Sequence, residues 1–147
     1  ETVIKPALHR GMAVLCDRFY DSTRVYQGAS GQVCMDLLYA LEAVACEDCR
    51  PDLTILLDID PDVGLKRAAQ RRNPVDQPDR FEKETVELHR RRRDAYLGIA
   101  AAEPERMVVV DAGADVSAVH AGVMRAIGER LSVMRPEMIV EQGGNRG

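Results

Sequence analysis

The sequence predicts an α/β domain built on a parallel sheet, and two patterns indicate it. Short apolar runs alternate along the chain with longer segments of helical periodicity, an order typical of βα units. Within the runs, apolar and polar residues hardly alternate, which suits strands covered on both faces. A chain of 147 residues is long enough to form one domain with a hydrophobic core.

Three apolar runs are the predicted strands. The first covers residues 12–16, which follow Gly11 and lead into Asp17 and Arg18. The second covers residues 53–58, and the third covers residues 106–111 with a Val-Val-Val centre. Polar or Gly and Pro residues border each run, as expected at the ends of strands.

Helical spacing of apolar residues predicts four helices. Asp60 and Asp115 precede two of them and are expected to be N-caps, with Pro61 in the first turn after Asp60. The predicted ranges are residues 31–46, 61–72, 80–102 and 116–131. Arg92 interrupts the core-facing stripe of the third helix, so we expect it to snorkel to solvent or to form a salt bridge.

A short polar segment, residues 73–79, separates two of these helices. Asn73-Pro74 and Gln77-Pro78 exclude a continuous helix there. Arginines at positions 71, 72 and 80 flank the segment. Such a loop suits a mobile cover over an anionic ligand, and the alternative is a solvated turn with ordinary surface charge.

The composition excludes several classes of protein. With 46% hydrophobic residues the chain is not a disordered one, and its net charge of −4 does not favour nucleic acids or membrane surfaces as partners. No apolar run approaches the roughly 20 residues that span a bilayer. Cys46 and Cys49 form a lone C-x-x-C pair, short of the four ligands of a structural zinc site. Free thiols in a reducing cytoplasm are therefore favoured over a zinc or disulfide role.

Asp17 and Arg18 follow the first predicted strand, where ligands bind in open parallel sheets. The planar guanidinium of Arg18 can donate to phosphate oxygens. Asp17 could hold that arginine, bind Mg²⁺ through water or orient a phosphate acceptor. A structural ion pair at the end of a strand is the alternative.

The next residues, 19–28, are polar and aromatic for a short connection. Ser22, Thr23 and Gln27 offer donors and acceptors that can read the edge of a base. Tyr26 can stack on or cover a sugar. This stretch is a candidate nucleotide-binding segment.

Asp17-Arg18-Phe19-x-x-Ser22-Thr23-x-x-Tyr26-Gln27-Gly28 resembles the monophosphate-binding motif of thymidylate kinases. Further stretches resemble that family in the same order: residues 51–67, residues 79–82, residues 96–100 and residues 109–112. Together they cover the chain from about residue 3 to residue 131.

The resemblance implies a P-loop kinase fold with three α/β/α layers around a parallel sheet. It also implies transfer of the ATP γ-phosphoryl group to dTMP, giving dTDP, with Mg²⁺ as the cofactor and a homodimer as a possible assembly. A cytoplasmic location and no nucleic-acid or membrane partner are expected.

Site residues are carried over by the same resemblance. Asp17, Arg18, Arg71 and Arg80 are expected to be catalytic, and no side chain is expected to be a dedicated metal ligand. The expected dTMP-binding residues are Arg18, Ser22, Thr23, Tyr26, Gln27 and Tyr96. Those expected to bind ATP are Arg67, Arg71 and Arg72.

The family's phosphate-binding segment, G-x-x-x-x-G-K-[ST], does not occur in these 147 residues, which begin with Glu1. The sequence is therefore interpreted as an N-terminally truncated kinase domain, residues 1–132, with a lid at about residues 71–80 and a disordered tail, residues 133–147. The chain alone is expected to be unstable and inactive, because strand 12–16 lacks its central neighbour. The alternatives are another nucleotide or deoxynucleoside kinase, or a non-catalytic binding module without a P-loop.

Overall fold

A computed structural model describes residues 3–28, 33–47, 49–71 and 84–134 of the chain. Within these ranges the short helix Tyr20–Thr23 continues directly into a single π-helical turn, Arg24–Gly28, called the π turn below. The elements in chain order are α1 (Ile4–His9), α2 (Tyr20–Thr23), α3 (Met35–Cys46), β1 (Thr54–Asp58), α4 (Pro61–Arg71), α5 (Val86–Ala102), β2 (Met107–Asp111) and α6 (Val116–Met134).

The two strands form a parallel pair, with Thr54 opposite Met107 and Asp58 opposite Asp111. Helices α4 and α5 lie between them in the chain, as the connection between parallel strands requires. Both α5 and α6 pack against β2, where Met107 and Val110 are buried. The predicted α/β class and parallel pairing are confirmed for these strands, each of which begins one residue later than predicted.

The predicted strand at residues 12–16 is wrong. These residues form no strand and are exposed, and the side chain of Leu15 is entirely so. The amide of Met12 donates to the carbonyl of Ala7, so the backbone turns back onto α1. An apolar run becomes a strand only when a neighbouring strand accepts its hydrogen bonds, and among the described residues none lies beside it.

Helix beginnings follow the side chains that cap them. The Asp115 carboxylate accepts from the amides of Ser117 and Ala118, and Asp60 accepts from the amide of Asp62, which confirms both predicted N-caps. Helix α5 was predicted to start near residue 80, but it begins at Val86, because the Thr85 hydroxyl caps it by accepting from the amide of Leu88.

Other helix limits differ by about a turn. Helix α3 begins at Met35 instead of residue 31. Helix α4 reaches Arg71, and its predicted last residue, 72, lies outside the described residues. Helix α6 continues to Met134, past its predicted end at residue 131.

Most of the predicted lid and tail lies outside the described residues. No helix in the described ranges is long and apolar enough to cross a membrane.

The four cysteines are free thiols in the structure, namely Cys16, Cys34, Cys46 and Cys49. Cys46 is buried at the end of α3, and burial raises the pKa of its thiol. A neutral buried thiol behaves as a small apolar side chain, so Cys46 contributes to packing.

A buried ion network begins at Arg24 in the π turn. Its Nε and Nη2 donate to the two carboxylate oxygens of Glu42 on α3, both at 2.7 Å. Its Nη1 donates to Glu103, the residue after α5. The Arg24 and Glu42 side chains are only 8% and 6% exposed. Burial alone would lower the pKa of Arg24, but its hydrogen bonds with Glu42 and Glu103 outweigh that effect and raise it.

Arg106, just before β2, continues the network beneath α2. Its Nη1 and Nη2 donate to the two Asp21 oxygens at 2.9 and 2.8 Å, and Nη1 also donates to the Thr54 hydroxyl. The ring of Tyr20 lies 4.8 Å from the Arg24 guanidinium carbon and 5.1 Å from that of Arg106. The buried side of α2 and the π turn is therefore held by ion pairs to Glu42 of α3, to Glu103 after α5 and to Arg106 before β2.

A second ion pair joins β1 to α5. Arg93 donates to both oxygens of Asp58, at 2.6 and 2.8 Å, and its guanidinium lowers the pKa of the Asp58 carboxyl. Asp58 ends β1, whereas Glu103 at the other end of α5 binds Arg106 at the start of β2. Helix α5 thus runs antiparallel to the strands, and its middle reaches their carboxyl edge.

Replacing Arg24 with alanine is expected to lower the free energy of unfolding by about 3–5 kcal/mol, because the buried Glu42 carboxylate would lose its partner. The matched control is Arg91→Ala, which removes a 71% exposed arginine paired with Glu87 and should cost about 0.5 kcal/mol or less. Urea unfolding followed by circular dichroism measures both values. Equal midpoints for the two variants would contradict the role of the network.

The Asp58–Arg93 pair predicts a pH dependence of stability. The folded pKa of Asp58 lies below its ordinary value of 3.8, so the pair stabilises the fold above about pH 4. That contribution disappears as the pH falls through the lowered pKa. The stability gap between wild type and Asp58→Asn should therefore be largest near neutrality and close in acid.

Urea midpoints measured from pH 2.5 to pH 7, roughly the window set by these pKa values, test this expectation. Asp62→Asn is the control, because it removes a half-exposed carboxylate that pairs with Arg90. A gap for Asp58→Asn that stays constant throughout, or that widens in acid, is the result that would refute it.

Candidate functional site

The turn after residues 12–16 presents Asp17 and Arg18 at the surface, where both are exposed. The backbone of Arg18 has φ 63°, in the left-handed region that residues with a Cβ seldom adopt. Such a conformation costs on the order of 1 kcal/mol and occurs often at functional sites. The Cys16 thiol donates to the carbonyl of Arg18 at 3.3 Å and so supports the turn.

Helix α2 and the π turn have two different faces. One face is buried and carries Asp21, Arg24 and Val25. The opposite face carries four polar or aromatic side chains. They form two adjacent pairs whose members are four residues apart, which brings all of them to one side of the coil. They are Ser22, Thr23, Tyr26 and Gln27.

Helix α5 closes the other side of this surface. The hydroxyls of Tyr96 and Ser22 share a hydrogen bond of 2.9 Å. The guanidinium carbon of Arg92 lies 4.3 Å from the centre of the Tyr26 ring, and that of Arg18 lies 5.6 Å from it. One aromatic ring therefore contacts arginines from two distant segments of the chain.

These elements enclose a cleft of about 350 Å³. Its lining combines two guanidinium groups, one carboxylate, two aliphatic hydroxyls, a phenol and an amide, and consists of Arg18, Ser22, Thr23, Tyr26, Gln27, Glu84 and Arg92. A cleft of this size with convergent polar groups suits a small polar ligand. The cations favour an anionic group, and the hydroxyls and amide can read a heterocycle by hydrogen bonding.

A second cleft, of about 340 Å³, lies between the π turn, α3 and α5. Most of its lining is apolar, including Met35, Tyr39 and Ile99. Its charged residues, Arg24 and Glu103, are bound to each other. It directs fewer polar groups toward a ligand than the first cleft, which is therefore the candidate functional site.

Burial raises the pKa of the Tyr96 phenol, and the hydrogen bond with Ser22 only partly offsets it. The phenol therefore stays protonated at neutral pH, where it can keep this hydrogen bond. Tyr96 does not line the cleft itself, but it holds Ser22, which does.

Five of the residues singled out in the sequence come together in this cleft, namely Arg18, Ser22, Thr23, Tyr26 and Gln27. Asp17 stands beside it as an exposed residue and is not part of the lining. Arg71 is exposed at the end of α4 and does not line the cleft. Arg72 and Arg80 lie outside the described residues.

Arg67 is engaged elsewhere. Its guanidinium donates to the carbonyls of Ala112, Gly113 and Ala114, the residues that follow β2. Arg67 therefore holds the loop of residues 112–114. The four-residue spacing between Arg67 and Arg71 on α4 did not predict this role.

Sequence reasoning missed Glu84 and Arg92 as lining residues. Arg92 was noted only as a charge that interrupts an apolar stripe, and a salt bridge was one of the two expectations for it. The structure confirms the salt bridge, since Arg92 donates to both oxygens of Glu84. The interruption of the apolar stripe was the signal that could have identified Arg92, because a charged side chain on the inward face of a helix needs a partner.

No group of three or more potential metal-binding side chains occurs in the described parts of the chain. Mg²⁺ bound with a phosphorylated substrate commonly keeps several waters and uses only one or two carboxylates. The exposed carboxylate of Asp17, next to Arg18, fits that mode of binding.

Comparison with known proteins places residues 1–123 in the family model described as "Thymidylate kinase". A thymidylate kinase from Nitrobacter hamburgensis is 54% identical over 132 residues, which cover 90% of this chain and 57% of that protein. One from Nitrobacter winogradskyi is 56% identical over 129 residues, with 88% and 56% covered. One from Rhodopseudomonas palustris is 51% identical over 135 residues, with 92% and 57% covered. The chain thus spans just over half the length of these relatives.

Tyr96→Phe should lower the free energy of unfolding by about 1 kcal/mol, because the ring remains and only the hydrogen bond to Ser22 is lost. A double-mutant cycle with Ser22→Ala isolates that bond, and a coupling energy of about 0.5–1.5 kcal/mol is expected from urea unfolding. Tyr39→Phe, at a half-exposed ring on α3, is the control and should have little effect. Strict additivity of the two site substitutions would count against the bond.

Proposed function

The chain belongs to the thymidylate kinase family, and from that premise we propose that the protein it forms transfers the γ-phosphoryl group of ATP to dTMP, giving dTDP. One observation carries the proposal: the cleft has Arg18 in the same lining as the hydroxyl and amide groups of Ser22, Thr23 and Gln27. A nucleoside monophosphate has the matching chemistry, an anion at one end and a base with donors and acceptors at the other.

In this proposal, Arg18 binds the phosphate of dTMP. A guanidinium donates two parallel hydrogen bonds to phosphate oxygens and keeps its charge at any physiological pH. The left-handed backbone at Arg18 sets the direction in which the side chain leaves the turn. Phosphoryl transfer depends on positioned cations, because negative charge is spread over the transferred group and the two oxygens in line with it.

Ser22, Thr23 and Gln27 are proposed to read the thymine. The pyrimidine edge presents two carbonyl acceptors and one N–H donor, which a hydroxyl and a side-chain amide can match. Because Tyr96 shares a hydrogen bond with Ser22, the hydroxyl of Ser22 is held in one orientation. Tyr96 is thus proposed to bind dTMP indirectly, through Ser22.

Tyr26 is proposed to pack against the deoxyribose. Its ring lies between the segment that carries Arg18 and the helix that carries Arg92, at the wall of the cleft. A ring placed against the sugar leaves little room for a 2′-hydroxyl. Such a contact would favour deoxyribonucleotides over ribonucleotides.

Asp17 is proposed to hold Mg²⁺ through water, beside the phosphates of the two nucleotides. When bound, such an ion would supply positive charge that offsets the negative charge developing during transfer. The carboxylate of Asp17 would orient the waters of that ion and accept hydrogen bonds from them.

On the ATP side, the proposal uses arginines from α4 and the segment after it. Arg67 is proposed to act by holding the loop of residues 112–114, to which its guanidinium already donates. Arg71, at the end of α4, and Arg72 would reach the ATP phosphates. Arg80 would supply a further catalytic cation from the proposed lid, residues 71–80.

These roles belong to a whole kinase domain, of which we propose that this chain forms a part through α6, which extends to Met134. A cytoplasmic homodimer is the proposed form. The apolar and exposed stripe of α3, formed by Leu37, Leu41 and Val44, is a suitable contact for a second copy.

The test is an assay of ATP-dependent dTMP phosphorylation by a graft, in which this chain replaces the matched 132 residues of the Nitrobacter hamburgensis relative. The graft should form dTDP, and Arg18→Ala should lower kcat/KM for dTMP about 100-fold or more. Arg91→Ala, at an exposed position of α5, is the control and should stay within about twofold. The chain alone should be inactive, because it contains no G-x-x-x-x-G-K-[ST] segment.

Two outcomes would contradict the proposal. A graft that does not phosphorylate dTMP, while the parent relative does so under the same conditions, would exclude this reaction for the chain. A graft that prefers another nucleoside monophosphate would favour the alternative of a different nucleotide kinase.

A further inference from the structure

Arg92 is a charged residue on the inward side of α5 that reaches the candidate cleft. Its side chain is 17% exposed. The guanidinium carbon lies 4.3 Å from the centre of the Tyr26 ring. The same guanidinium donates to both carboxylate oxygens of Glu84, with Nη2 at 3.1 Å from Oε1. Arg92 therefore lies over the face of an aromatic ring and forms a bidentate ion pair at the same time.

The arginines next to it in sequence have different partners. Arg90 donates to Asp62 on α4, and Arg91 donates to Glu87 one turn earlier on α5. Arg93 binds Asp58 at the end of β1. None of these three lines the cleft, whereas Arg92 and Glu84 do. The position of Arg92 is thus specific to the cleft and not a general property of an arginine-rich helix.

The chemistry of the pair indicates what Arg92 does. Because Glu84 neutralises its charge inside the cleft, Arg92 attracts a phosphate less strongly than it would without this carboxylate partner. Its planar guanidinium, however, restricts the ring over which it lies, and the fork to Glu84 fixes the plane of the guanidinium. The ion pair between Arg92 and Glu84 therefore restricts the orientation of the Tyr26 ring.

We propose that Arg92, held by Glu84, is a positioning residue for Tyr26, and that it thereby determines the selectivity of the cleft for deoxyribose over ribose. The inference rests on the proposed function, in which Tyr26 packs against the sugar of dTMP. A ring that is fixed in one orientation excludes a 2′-hydroxyl, whereas a ring that can turn away admits it. Arg92 acts through Tyr26 and is not a catalytic residue.

The experiment compares dTMP with ribothymidine 5′-monophosphate, which differs by the 2′-hydroxyl alone, as substrates of the graft. The readout is the ratio of their kcat/KM values. A purely structural defect changes the amount of active enzyme and cancels in this ratio, so the ratio reports the orientation of the ring. KM and kcat for dTMP are measured in the same assays.

Arg92→Leu is expected to lower the selectivity ratio about 10-fold, with KM for dTMP raised severalfold and kcat changed less. Arg92→Lys should lose most of the selectivity as well, because an ammonium group has neither the plane nor the fork of a guanidinium. Arg91→Leu removes the same atoms at the neighbouring, exposed position and should leave the ratio unchanged.

An unchanged ratio in Arg92→Leu and Arg92→Lys would overturn the inference. Should Arg92→Leu fail to fold, the selectivity ratios of Arg92→Lys and Glu84→Gln decide whether the inference holds. Glu84→Gln removes the charge of the carboxylate but keeps its shape, and it is expected to lower the ratio about threefold. If neither lowers it, the inference is wrong. A graft without any dTMP kinase activity is a different result, since the proposed function then fails in the unmutated protein and the inference falls with it.

Discussion

The candidate site depends on two arginines, Arg24, which is buried, and Arg106, which is 13% exposed, because they fasten α2 and the π turn to the rest of the domain. Arg24 binds Glu42 of α3, and Arg106 binds Asp21 of α2. A buried charge is tolerated only when its partner is in place, because neither bulk water nor apolar neighbours can replace that partner. The orientation of this nine-residue coil is therefore set from its buried side. The opposite side carries the groups that line the cleft, and there Ser22 also shares a hydrogen bond with Tyr96.

The division between the two faces explains how so short a stretch can serve both purposes. Asp21 and Ser22 are neighbours in sequence, yet Asp21 faces Arg106 and Ser22 faces Tyr96. The π turn continues the coil with a wider turn than an α-helix, a feature that is frequent at functional sites. At its end, Gly28 leaves room for the side chain of Met35, since a Cβ there would come within 2.2 Å of the Met35 sulfur. The same residues that anchor the coil thus fix which side chains it presents.

How far the sequence predicts this arrangement depends on how local each determinant is. The N-caps at Asp60 and Asp115 were predictable, because a cap and its amides lie within three residues. The parallel pairing of β1 and β2 followed from apolar runs separated by helical segments. Residues 12–16 have an equally apolar pattern but form no strand, because a strand needs hydrogen bonds from a neighbour that the pattern does not contain. Local signals therefore predicted elements, and long-range partners decided which of them formed.

The same limit applies to the site. Arg18 and the polar face of the π turn occur within a dozen residues, so the sequence could group them. The α5 side of the cleft comes from about seventy positions further on, and one helix there carries four consecutive arginines with four different partners. Arg93 anchors a strand and Arg92 contacts Tyr26, although they are adjacent and chemically identical. Their roles differ because Arg93 binds Asp58 and Arg92 binds Glu84, and only the folded chain brings these partners into contact.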